Sequence, residues 1–169
     1  MEPQAFVYSQ PVIEFLTVST EYCKQLEQLG SIQREQFRNV MLGLLPMLYL
    51  KATFLGDVPD AVGYTEARVT EDDYNYVRTN ISNLMGDEDT FLEVFVEDFK
   101  YSDSPVTQTV SENLADIYQA LRNMVEEFRL GYEEAMEVAL AETMESFRTF
   151  WGQQLLNTLR TLHADKYRT

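Results

Sequence analysis

The sequence predicts an all-α fold, an antiparallel bundle of five or six helices, with residues 1–169 forming a single helical domain. Three observations predict it. Apolar residues recur at helical spacing through most of the chain, glycines close the periodic stretches, and Ser, Thr or acidic residues open several of them. With 169 residues, 45% hydrophobic and 12% aromatic, the chain has enough apolar surface to bury a core and offset the conformational entropy of folding.

The first helix is expected to begin near Ser9, a capping residue, with Pro11 in the first turn where its missing N–H costs nothing, and to end at Gly30. Ser31 restarts the chain, Glu35 favours the new helix dipole, and Phe37, Val40, Met41, Leu44, Leu45, Leu48 and Tyr49 follow at helical spacing. Pro46 is expected to kink this second helix, which stops at Gly56. Asp57 to Val69 contains Pro59 and Gly63, lacks periodicity and reads as a loop. Thr70 caps the third helix with Asp73 three residues on, in an Asp variant of the capping box, and Gly86 ends it.

Asp87 to Phe99 reads as a further helix, with acidic residues at its start and Phe91, Leu92, Phe95, Val96 and Phe99 on one face, although the short alternation in Leu92 to Val96 also suits a strand. Beyond Pro105 comes a long amphipathic helix bearing Val110, Leu114, Ile117, Tyr118, Leu121, Val125 and Phe128 and stopped by Gly131. The last helix is expected from about Tyr132 to about His163. Gly152 alone interrupts it, which costs about 1 kcal/mol relative to Ala and marks close packing.

Charge is distributed unevenly. Of the net −15, residues 57–145 carry −17, from twenty-two acidic against five basic side chains, while residues 146–169 sum to +3. Such a balance favours solubility and repels polyanions, so no nucleic-acid partner is expected. The longest uncharged apolar run, Val40 to Leu50, is too short to span a bilayer and contains Pro46, so no membrane partner is expected either. Met1-Glu2-Pro3-Gln4 is neither basic nor apolar, and the expected location is the cytoplasm. The lone Cys23 falls mid-helix among apolar neighbours and reads as a buried thiol.

Chemistry-bearing patterns are sparse. A di-iron bundle needs Glu-x-x-His pairs, but the one histidine, His163, follows Arg160 at that spacing. Asp87-Glu88-Asp89 lacks the later ligands and central glycine of a calcium loop and reads as a solvated helix N-terminus. Glu133-Glu134-Ala135-Met136-Glu137 matches half of the carboxylate pattern by which all-α nucleotide pyrophosphatases hold Mg²⁺, but no Glu-x-x-Asp follows; Glu145 and Arg148 instead suggest an exposed ion pair. No catalytic, cofactor or metal residues are assigned. Glu112 and Asp116, one turn apart, fall on the wheel away from the apolar face and are expected in solvent. Trp151, Asn157, Arg160 and His163 combine an aromatic anchor with polar groups along the last helix, which suits either a core Trp with polar flanks or a recognition surface.

Four stretches form a distinctive set: Leu45-Pro46-Met47-Leu48-Tyr49-Leu50-Lys51-Ala52, Glu71-Asp72-Asp73-Tyr74-Asn75, Ser111-Glu112-Asn113-Leu114-Ala115-Asp116-Ile117-Tyr118, and Trp151-Gly152-Gln153-Gln154-Leu155 leading to Leu162-His163. In this order they resemble an uncharacterised bacterial family, the domain of unknown function five-thousand-sixty-three, over nearly the whole chain. The resemblance implies a cytosolic helical domain and carries over no catalytic residues. It directs attention to Glu112, Asp116, Asn157, Arg160 and His163, which apolar packing alone does not require. The function expected is a non-enzymatic protein-interaction module, monomer or homodimer, whose surface recognises another protein; the alternative is a carboxylate-based, Mg-dependent nucleotide hydrolase-like protein.

Overall fold

A computed structural model describes residues 5–92 and 106–168. A 3-10 turn at Phe6–Tyr8 leads into α1 (Gln10–Glu27), and a short connection then leads to α2 (Arg34–Phe54). Ser9 occupies the N-cap position of α1 and Pro11 its first turn, but the Ser9 side chain makes no cap hydrogen bond. The second helix continues past Pro46 to Phe54.

After the loop comes α3 (Glu71–Met85), whose entry follows the expected capping box. The Asp73 N–H donates to Thr70 Oγ1 at 3.0 Å and the Thr70 N–H donates to Asp73 Oδ2 at 3.2 Å, so two otherwise orphaned donors are satisfied reciprocally. The remaining helices are α4 (Val110–Leu130), α5 (Glu133–Ser146) and α6 (Gly152–Tyr167). Gly131 ends α4 with φ +82°, a left-handed conformation that a residue with a Cβ rarely adopts.

The helices form an all-α antiparallel bundle. α4 is its hub, packing against α1, α3, α5 and α6, while α2 packs against α1 and α6. Phe15, Tyr22, Leu45, Leu114, Ile117 and Trp151 are among the fully buried side chains that join these elements. The Tyr22 hydroxyl donates to the Leu114 carbonyl at 2.7 Å, so a phenol that would otherwise be buried unpaired joins α1 to α4.

The helical expectation for Asp87 to Phe99 requires correction. Gly86–Glu88 is a 3-10 turn, and Thr90–Leu92 is a strand, β1, paired antiparallel with β2 (Thr107–Thr109) in the register Thr90↔Thr109, Phe91↔Gln108 and Leu92↔Thr107. Residues 93–99 of that expected helix lie outside the described residues. The alternation read from Leu92 to Val96 overlaps β1 at Leu92 alone, its other residues lying outside the described residues; within β1, Phe91 is buried while Thr90 and Leu92 face outward.

The solvated reading of Asp87-Glu88-Asp89 is also corrected. Asp87 is exposed, but Glu88 pairs with Arg38 and lies 3.6 Å from Arg34, and Asp89 is buried. Asp89 caps α4 rather than its own segment. Its backbone carbonyl accepts from the Val110 N–H at 2.7 Å, its Oδ1 from the Ser111 N–H at 2.8 Å and its Oδ2 from the Ser111 hydroxyl at 2.7 Å. With the Glu112 N–H donating to Thr109 Oγ1 at 3.1 Å, three successive N–H groups at the start of α4 are satisfied.

The expected last helix is present and extends to Tyr167, with a π turn at Phe147–Trp151 joining α5 to α6 through helical backbone angles. Gly152 explains itself here. A Cβ at that position would lie 2.5 Å from the Phe147 carbonyl oxygen and 3.1 Å from the Phe147 ring, closer than packing tolerates.

Candidate functional site

The six residues singled out by sequence do not form one site. Glu112 is exposed in the first turn of α4, as expected. Asp116 is not in open solvent: it is half-buried, accepting from the Tyr74 hydroxyl at 2.6 Å and from Gln154 Nε2 at 2.8 Å, so α3, α4 and α6 meet on one carboxylate. Gln154 also reaches Asn113 Oδ1 at 3.3 Å, and Asn113 Nδ2 donates to Gln108 at 2.9 Å. A wheel drawn for α4 alone places Asp116 off the apolar stripe; it carries no information about the phenol that α3 brings to it.

Trp151 belongs to the core and not to a surface. It has no exposed area, stacks on Phe15 at 6.4 Å, meets Phe147 at 4.7 Å and donates its indole N–H to the Thr143 carbonyl at 3.0 Å. Asn157 is likewise buried and accepts from Gln153 at 2.9 Å. Arg160 and His163 are exposed and do not meet Asp116: Arg160 donates to the Leu92 carbonyl at 3.0 Å, and His163 packs against the Tyr167 ring at 4.7 Å.

Arg160 and His163 do share a groove of about 630 Å³ between α2 and α6. Leu42 and Pro46 form its α2 wall, and Leu156 and Leu159 continue the apolar lining on α6. Arg160, His163 and Lys166 supply its charge, with Tyr167 beside them, and among the described residues no carboxylate lines it. The apolar surface continues along α2 beyond Pro46. From Gly43 to Phe54 every exposed residue is uncharged, including Met47, Leu50 and Phe54 at helical spacing. The one cation in that stretch, Lys51, is half-buried, reaching Glu14 at 3.6 Å and lying over the Phe54 ring.

Leu42, Leu156 and Lys166 were not singled out by the sequence, and Pro46 only as a kink and a member of a distinctive stretch, although α2 carried a signal. Leu42-Gly43-Leu44-Leu45-Pro46-Met47-Leu48-Tyr49-Leu50 is apolar around the whole helix, and only part of that circumference is buried against α1 and α6. The excess is the exposed stripe.

The other polar clusters have internal partners. Arg68 Nε pairs with buried Glu127 at 2.9 Å while the Arg68 and Val69 N–H groups donate to Asn123 Oδ1, fastening the loop onto α4. Arg122 lies 2.6 Å from Glu126 and 3.4 Å from Glu27, and Arg129 lies 2.8 Å from Glu126, whose carboxyl its hydrogen bond holds below the ordinary range. On α5 and the π turn, Glu145 and Arg148 form the expected ion pair at 3.3 Å. Burial and the nearby Glu27 push the Cys23 thiol upward, away from thiolate chemistry. Among the described residues, no group of three or more His, Cys, Asp or Glu side chains is placed to hold a metal ion.

Three phenols are shifted upward, each first by burial. Tyr22 is enclosed in the core, Tyr74 donates to Asp116, and Tyr118 donates to Glu27 at 2.7 Å. A tyrosine raised in the fold above its unfolded value near 10 contributes stability below about pH 10 and loses it as pH rises toward the folded value. Alkaline titration followed at 295 nm is expected to show Tyr22, Tyr74 and Tyr118 among the late-titrating phenols, with denaturation midpoints falling above about pH 10. Ten phenols ionising together in the native protein would contradict these environments.

Fold and groove together define an acidic, all-α helical protein, with no described helix long and apolar enough to cross a membrane. The chain belongs to the family described as domain of unknown function DUF5063, which matches residues 6–168. It is similar to protein BF1032 from Bacteroides fragilis, known from a crystal structure, at 36% sequence identity and a TM-score of 0.87, with 98% of each chain covered. No curated protein matches it.

Proposed function

We propose that this protein is a non-enzymatic, cytoplasmic interaction module that binds another protein through the α2–α6 groove and the adjoining face of α2. One observation carries the reading: from Gly43 to Phe54 the solvent-facing side of α2 bears no charge, and it shares Pro46 with a groove lined by Leu42, Leu156 and Leu159. Contiguous exposed apolar surface of this kind raises the cost of remaining unbound and marks interaction surfaces.

The test combines light scattering with affinity capture, comparing the parent with Leu50→Asp and Leu156→Asp. Both leucines are exposed, so each variant is expected to retain the parent's circular dichroism while losing a protein that the parent enriches. A strictly monomeric parent that enriches nothing would overturn the module reading. So would folded variants that still capture the same protein as well as the parent does.

A further inference from the structure

Resting on that reading, we infer that the segment recognised is an acidic amphipathic helix of another protein, with apolar anchors on one face and carboxylates clustered toward one end. The groove lies between two helices, the setting in which a third helix places a row of side chains. From Leu156 to Tyr167 its α6 wall is about 16 Å long at 1.5 Å per residue, matching about three helical turns and anchors at positions i, i+3 or i+4, and i+7. Leu42, Pro46, Leu156 and Leu159 offer those anchors an apolar lining.

Charge selects among possible occupants. Arg160, His163 and Lys166 follow one another at three-residue intervals along one side of α6, and among the described residues no carboxylate lines the groove beside them. The nearest acid in sequence, Asp165, is paired with Arg168 at 2.8 Å. Two copies meeting groove to groove would bring these cationic ends into one interface, which opposes a symmetric dimer at this surface. A long polyanion or an anionic bilayer extends beyond the groove and meets a chain whose residues 57–145 carry −17. A short segment with its own local carboxylates satisfies the cations without reaching that field.

The experiment uses fluorescein-labelled helical peptides of about four turns, titrated with the full chain. One has leucines along one face and glutamates at one end; a second replaces the glutamates with lysines; a third replaces the leucines with serines. The first is expected to bind saturably, more weakly as salt increases, and the other two to bind worse. His163→Glu combined with Lys166→Glu is expected to weaken the glutamate peptide by about threefold or more and to strengthen the lysine peptide, since exposed ion pairs each contribute modestly. Equal binding of the glutamate and lysine peptides, or no saturable binding of the first, would overturn the inference. Binding to phosphatidylglycerol vesicles without binding to the peptide, or concentration-dependent dimerisation abolished by Leu156→Asp, would replace the occupant and overturn it as well. If Leu50→Asp and Leu156→Asp still abolish capture of a protein partner while the peptides fail, the module reading survives and only the acidic helix is lost.

Discussion

Trp151→Ala is expected to destabilise the protein by about 3 to 5 kcal/mol, measured by denaturant unfolding followed with far-ultraviolet circular dichroism. The side chain is fully buried, and its ring fills the space between Phe15 on α1 and Phe147 in the π turn. Removing it forfeits that contact and leaves a cavity that two rigid rings on different helices cannot collapse to fill. The indole N–H contributes separately, because it is donated to the Thr143 carbonyl at 3.0 Å, eight residues back along the same helical path and across the π turn. Trp151→Phe keeps most of the apolar volume and loses that donor. It is therefore expected to cost about 1 to 3 kcal/mol, less than the alanine variant. Since this is the chain's one tryptophan, fluorescence is unsuitable for these variants but serves as a core probe for all others. An alanine variant within about 1 kcal/mol of the parent would show that Trp151 is not the packing element it is taken to be.

The helical framework was legible because its signals are local. Thr70 and Asp73 lie three residues apart and cap their own helix, and Gly86 and Gly131 stop helices at the residues that need positive φ. Periodicity likewise identified the buried faces of α2 and α4. What failed was reach between segments. The strand Thr90–Leu92 depends on Thr107–Thr109, fifteen or more residues away, and three residues alternating in burial are too few to outweigh a helical pattern. The π turn left only the signature of Gly152, readable as close packing but not as the shape of the backbone around it.

The candidate site divides along the same line. The polar character of Arg160 and His163 suits their exposed positions on α6, but which helix would stand opposite was not encoded in α6 alone. The structure places Leu42 and Pro46 of α2 there. Asp116 is met by Tyr74 and Gln154, two residues that lay inside the distinctive stretches without standing out by chemistry. Trp151 and Asn157 shared a helix with the groove residues and point into the interior, so a surface drawn through all four combined two faces of one helix.

Asp89→Ala is expected to cost about 2 to 5 kcal/mol, while Asp87→Ala, two residues away in the same acidic run, is expected to remain within about 0.5 kcal/mol of the parent. The contrast follows from where the two carboxylates point. The Asp87 side chain is 93% exposed beside Arg34, at 3.5 Å, where a surface ion pair contributes little. Asp89 is 6% exposed as a residue and receives both the N–H and the hydroxyl of Ser111, which is itself buried. Truncation would leave the Ser111 N–H without an acceptor and the Ser111 hydroxyl with only its 3.3 Å contact to Thr109 Oγ1, in a place water does not reach, and would remove a negative charge from the positive end of the α4 dipole. The damage would centre on the helix that contacts α1, α3, α5 and α6. Asp89→Asn retains one carbonyl acceptor and is expected to recover part of the loss. A cooperative denaturation series on the three variants, read by Trp151 fluorescence, gives the order directly: Asp87→Ala near the parent, Asp89→Asn between, Asp89→Ala lowest. Equal midpoints for Asp87→Ala and Asp89→Ala would return the whole acidic run to the solvated helix terminus that its composition first suggested, and α4 would have to find its N-terminal partners elsewhere.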